Sequence, residues 1–169
     1  MALQLIFVVE TNSKCKSDWI YIKSTIEKFY QFDTANTKFS VVYMNGKGNY
    51  ANNDKKISDR KNPYKGDTYV IFCFDCDDYY TNTSDKLFLD RAKKYCEDNS
   101  YDFVWFYKDI ESVYLNKRVY DGEKKKESEK FKRNKLINTV DKSNLCVDSY
   151  RNNSSNILKV LDNYLERIT

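Results

Sequence analysis

The chain has 169 residues, enough for one domain with a hydrophobic core. Its 41% apolar and 16% aromatic content excludes a disordered chain, and its net charge of +4 falls well short of a strongly basic nucleic-acid binder. It contains no His, which removes His-based triads, Cys–His nucleophile pairs and His-ligated zinc; acid–base chemistry must come from Asp, Glu, Lys, Tyr or a metal-bound water.

The first element is Leu3 to Val9, LQLIFVV, a near-continuous apolar run that ends at Glu10. Such runs suit a strand buried on both faces of a parallel sheet, and this one is too short to span a membrane. After the polar stretch TNSKCKSD, Ser17 or Asp18 is expected to cap a helix to about Tyr30, with Trp19, Ile22, Ile26 and Phe29 at helical spacing. Phe39 to Met44 predicts a second strand. Asn45 to Gly66 is polar, carries three of the four Gly and the only Pro, and reads as a long surface excursion with a short helix. Its GKGN lacks the spacing and the Lys-Ser/Thr end of a phosphate-binding loop.

Tyr69 to Phe74 predicts the third strand, running directly into Asp75, Asp77 and Asp78. A helix follows over Asp85 to Glu97, with Leu87, Leu89, Ala92 and Cys96 inward. Asp102 to Tyr107 predicts a fourth strand and Ile110 to Leu115 a short helix. From Gly122 the chain is highly charged, with an amphipathic stripe of Phe131, Leu136, Ile137 and Val140. Ser154 or Ser155 is expected to cap a last helix from Asn156 to Ile168. No repeat and no linker divides the chain, so residues 1–169 are expected to form one α/β domain. Its mostly parallel four-stranded sheet would be flanked by helices, with extra helices at the C-terminus.

The five Cys are odd in number and scattered, and no signal peptide is visible; together these predict reduced thiols in a cytoplasmic protein with no membrane partner. Cys73 and Cys76 lie three apart in a strand, so they face opposite sides and read as core residues rather than a redox or metal pair.

Carboxylates follow three of the predicted strands directly: Glu10, then Asp75 and Asp77, then Asp109 and Glu111. Parallel strands would gather them on one sheet edge, where ligand sites of open α/β sheets collect. Side chains two apart on a strand share a side, with Cα atoms roughly 6.6 Å apart, so a D-x-D pair can share one hard cation. Oxygen-only ligands favour Mg²⁺ or Mn²⁺ over Zn²⁺. An Asp after a strand is often a helix N-cap or a solvated turn, and D-x-D alone favours that reading; carboxylates at three separate strand ends shift the balance toward a site. The basic run with Lys124, Lys125 and Lys126 reads first as a solvated helix face. Its functional version is a phosphate-tracking surface, with Arg118 and Arg151 as further candidates. Tyr79, Tyr80, Tyr50 and Tyr64 read first as loop-packing residues; their functional version is stacking on unpaired bases.

The ordered set VVET, SDWIYI, VIFCFDCDD, KDIESVYL and SSNILKVLDNYL resembles the RloB-like proteins, a Toprim-related bacterial family found near defence genes. Thr11 follows the first Glu where that family usually has Gly. The resemblance implies a Toprim-like fold in which Glu10 is the general acid/base. Asp75 and Asp77 would hold Mg²⁺, and Glu111 would be an added metal-site or structural carboxylate. The implied function is a Mg²⁺-dependent, nuclease-like phosphodiester enzyme of a defence, phage or mobile-element system. The alternative is a non-catalytic binding module of the same fold, acting through a protein or nucleic-acid partner.

Overall fold

The computed structural model describes residues 2–169. Strands alternate with helices along the chain: β1 (Leu3–Val9), α1 (Ser17–Phe29), β2 (Tyr30–Gln31), β3 (Thr37–Tyr43), α2 (Asp54–Lys61) and β4 (Asp67–Asp75). Next come α3 (Thr83–Asp98), β5 (Asp102–Tyr107), α4 (Ile110–Leu115), α5 (Lys124–Arg133), β6 (Ser154–Ser155), α6 (Ile157–Leu161) and β7 (Glu166–Arg167).

The main sheet has the order β3-β1-β4-β5-β6. Four strands are parallel, and β6 pairs antiparallel with the end of β5, Phe106 opposite Ser155. This fifth strand corrects the four-stranded expectation, and Ser155 within it still accepts from the first helical amide, Ile157 N, through its Oγ at 3.1 Å. Ser154 and Ser155 are buried as an edge strand, and only Ile157–Leu161 is helical behind them. The chain then turns into β7, which pairs with β2 and closes the end of α1. Tyr30 ties the two ends together, its hydroxyl donating to Leu158 O at 3.0 Å and Asp162 Oδ1 at 2.8 Å.

Apolar runs become central strands because both sheet faces are covered. Leu5, Phe7, Val9, Ile71, Cys73, Val104 and Phe106 face one layer, formed by α1, α4, α5 and α6. Ile6, Val8, Phe72, Phe74, Cys76 and Trp105 face the other, where α2 and α3 pack. Cys73 and Cys76 therefore lie on opposite faces as buried free thiols. The helix α3 is inward at Leu89, Ala92 and Cys96, as its spacing predicts. Leu87 is corrected: it is 49% exposed, and Phe88 packs against Phe74 and Tyr50 in its stead. The long excursion holds a 3-10 turn at Lys47–Asn52 and then α2. Among the described residues no helix is long and apolar enough to cross a membrane.

From β1 the chain moves to one side, into β3, and then crosses back to pair β4 on the other side of β1. The carboxyl ends of β1 and β4 thus flank a topological switch point, where open α/β sheets leave a crevice.

Phe7 sits at the middle of β1, fully buried, with its ring 5.4 Å from Trp19 and 6.4 Å from Phe39. Phe7→Ala should cost about 3–5 kcal/mol of unfolding free energy, read by urea denaturation. A loss below about 1 kcal/mol would contradict this packing.

Candidate functional site

The crevice at the switch point is a cleft of about 500 Å³ lined by Glu10, Asp18, Asp75, Lys47 and Lys124, among others. Each arrives there for a local reason. Glu10 is the first residue past β1, and its carbonyl accepts from Gly46 N at 2.9 Å. Gly46 has φ of 112°, a backbone conformation suited to glycine, and the turn it makes aims Lys47 back toward the sheet. Thr11, by contrast, needs no positive φ, so the tight turn beside Glu10 is made by the neighbouring strand's exit.

Asp75 closes β4, which pairs with β1 as far as Val8 opposite Phe72. The register brings the two strand ends together, and the Asp75 amide donates to Glu10 Oε1 at 3.2 Å. The Asp75 carboxylate accepts from Ile110 N at 2.9 Å, at the start of α4, while Asp109 caps the same helix through Ser112 N at 2.7 Å. The N-cap reading and the site reading of these Asp residues therefore meet in one structure. Ser17 or Asp18 was expected to cap α1. Both lie inside the helix and are buried; Asp18 Oδ2 accepts from Thr11 N at 3.2 Å, and the cap position falls to Lys16 without a side-chain bond.

Glu111 is 1% exposed, with Lys124 Nζ 3.8 Å from its Oε1, and that oxygen has no hydrogen-bond partner. Lys124 also reaches Asp121 Oδ1 at 3.4 Å. It is held there because α5 packs on α1 through Phe131, whose ring lies 4.9 Å from Tyr21.

Burial of these carboxyls raises their affinity for protons. Glu10 rises from its ordinary 4.5 to about 8, first through desolvation and then through Asp18 and Asp77. Glu111 rises to about 7, again through desolvation, with Lys124 opposing. Asp75 is raised well above its ordinary value by burial and by Glu10, Asp18 and Glu111, and Asp18 is raised by burial. The lysines answer this charge: Lys124 is pushed up by Glu111 and Asp75 against its own burial.

The predicted residues thus divide. Glu10 and Asp75 share the cleft, and Glu111 lies close enough to Asp75 to raise its pKa. Asp77 is separate in conformation: the strand ends at Asp75, Asp77 has φ of 49°, and its carboxylate forms an ion pair with Lys47. The same-side argument for a D-x-D in a strand therefore does not hold here, because the second Asp lies beyond the strand. Of the basic candidates, Lys124 reaches the cleft. Lys125, Arg118 and Arg151 are exposed, Arg118 lies over the Tyr120 ring at 4.9 Å, and Lys126 pairs with Glu123 at 4.0 Å. Asp18 and Lys47 were not singled out by sequence as site residues. Their only signal was position, one in SDWIYI and one in GKGN.

As the side chains stand, no group of three His, Cys, Asp or Glu among the described residues could hold a metal ion. The donor chemistry is nonetheless all hard oxygen, and the orphaned Glu111 Oε1 marks carboxylate charge that the two lysines leave incompletely answered. Compared with protein-family models, curated proteins and solved structures, the chain gives no match.

The folded chain holds protons on Glu10 and Glu111 more tightly than the unfolded chain does. Stability should therefore fall as pH rises from about 4.5 toward about 8. Thermal unfolding midpoints in EDTA should drop across that window, and Glu10→Gln should flatten the drop. A wild-type midpoint that stays level or rises would refute the buried-carboxyl account.

Proposed function

We propose that the chain is a metal-dependent, nuclease-like enzyme acting on phosphodiesters at the cleft between β1 and β4. The observation that carries this reading is the meeting of Glu10 and Asp75 at the switch point, with Lys47 and Lys124 beside them. The ordered motifs that resemble the RloB-like and Toprim proteins support it, as does the position of the cleft at the carboxyl edge of a parallel sheet. A role in a defence, phage or mobile-element system belongs to the same proposal and rests on the resemblance alone.

Burial and the neighbouring Asp18 and Asp77 raise the Glu10 pKa toward about 8, which suits a group that delivers a proton to a leaving oxygen. Lys47 and Lys124 would orient an anionic phosphate over it. Asp75, Asp77 and Glu111 are the residues that would hold Mg²⁺ or Mn²⁺, Asp77 exchanging its lysine for the ion. A bound ion would polarise the phosphate and stabilise charge developing on it.

A second reading has its own observation. With Asp77 paired to Lys47 and Glu111 facing Lys124, the cluster is already partly neutralised without an ion. That favours a non-catalytic module which binds a phosphate-bearing or protein partner.

Asp75→Asn keeps an acceptor for Ile110 N, so the fold should persist while metal-dependent cleavage is abolished. Glu10→Gln should lower cleavage about 10²–10⁴-fold. Cleavage of labelled DNA and RNA with Mg²⁺ or Mn²⁺ reads both, and calorimetric titration of each ion reads binding. Unchanged cleavage in Asp75→Asn would sink the enzyme assignment, and no Asp75-dependent ion binding would favour the module.

A further inference from the structure

A second cleft, of about 540 Å³, is walled by Tyr79, Tyr80, Phe103, Trp105 and Tyr150 among polar side chains. We propose that it holds an unpaired nucleobase of the strand whose phosphate occupies the Glu10–Asp75 cleft, so that the substrate class is single-stranded nucleic acid. This rests on the phosphodiester reading and adds a substrate preference to it.

The wall is formed by Tyr79 and Tyr80, which follow Asp75 within five residues of chain, so one short segment connects both clefts. Tyr80 is 63% exposed, yet it is oriented: its hydroxyl donates to Tyr150 O at 3.1 Å and its ring lies 5.7 Å from Tyr107. A tyrosine held in place with its ring in solvent is a poor core residue and a ready stacking surface. Behind it, Trp105 is nearly buried and meets Tyr150 edge to face at 4.9 Å, and Tyr150 meets Tyr79 at 4.8 Å. These contacts fix the cleft before any ligand arrives, which lowers the ordering cost of binding. The volume falls in the range of small-ligand clefts.

The charge pattern tolerates a polyanion. Asp90 is answered by Lys86 at 2.6 Å and Asp148 by Lys159 at 2.5 Å. Lys93 also lines the cleft, and among the described residues it has no ion pair, which leaves a cation for a backbone phosphate. Duplex bases are stacked on each other and cannot present a face to Tyr80, so the cleft favours unpaired strands.

The test uses the full chain in EDTA, so that nothing is cut. Fluorescence anisotropy of labelled single-stranded and blunt duplex oligonucleotides, in DNA and RNA form, reads binding. Single strands should bind more tightly than duplex. Tyr80→Ala, an exposed site with little to lose in folding, should weaken single-strand binding about 5- to 150-fold and leave duplex binding unchanged. In a Trp19→Phe background, where Trp105 is the remaining tryptophan, the single strand should quench its fluorescence. Single-strand binding that is indifferent to Tyr80→Ala, or equal affinity for duplex, overturns the inference. A parallel cleavage assay separates it from the reading beneath it. Cleavage lost in Asp75→Asn but untouched in Tyr80→Ala, with equal single-strand binding, leaves the enzyme and removes the base cleft. Tyr80-dependent single-strand binding without any metal-dependent cleavage leaves the base cleft and removes the enzyme.

Discussion

The parallel pairing of β1 with β4 is the constraint from which the rest of the site follows. Val8 lies opposite Phe72, so β4 runs on past the end of β1, and its last residue, Asp75, meets Glu10, the first residue past β1, at one edge. Glu10 and Asp75 are thereby pressed together at the rim of a core that excludes water on both sheet faces. Two carboxyls in such a place repel each other and lose hydration, and both effects favour the protonated form. The amide of Asp75 donating to Glu10 and the amide of Ile110 donating to Asp75 offset part of that cost.

The remaining elements can be understood as responses to this concentration of charge. Lys47 is returned to the cleft by the Asn45–Gly46 turn, both residues having positive φ. Lys124 is returned from far along the chain by α5, anchored through Phe131 among Tyr21 and Tyr114. Asp18 is drawn in by the start of α1 and holds the turn after Glu10 through Thr11. An apolar anchor on one side of each helix thus positions a charged group at its end. A salt bridge of this partly buried kind contributes little net stability. Its plainer role is to keep the cleft polar, open and preorganised.

The two clefts are joined by the segment from Asp75 to Tyr80. Within it Cys76 turns into the core, Asp77 and Asp78 take lysine partners, and Tyr79 and Tyr80 build an aromatic wall with Tyr150. A segment with so few free conformers can relate a charged centre and a stacking surface at a fixed separation.

Some of this was legible without coordinates. The apolar runs LQLIFVV and DFVWFY suit buried strands, because two-sided burial leaves no polar alternation. Period and turn chemistry located α4 residue for residue and most of α3. Hydrophobic pattern is a local property, so the one-dimensional chain carries it. The opposite facing of Cys73 and Cys76 followed from strand geometry for the same reason. Other features depended on contacts distant in sequence. Ser154–Ser155 became an edge strand because β5 offered an unpaired edge there, which no local propensity records. The strand order, and with it the switch point between β1 and β4, depends on which side of β1 each crossover takes. Asp77 left the face of Asp75 because the strand stopped at the sheet's rim. Lys47 and Asp18 joined the site because two turns folded back over it. The sequence by itself determined which segments are buried and which carboxylates end the strands, since burial is written in local pattern. Only the tertiary structure decided which of those charges meet, because that depends on strand order and register, set by the packing of the whole domain.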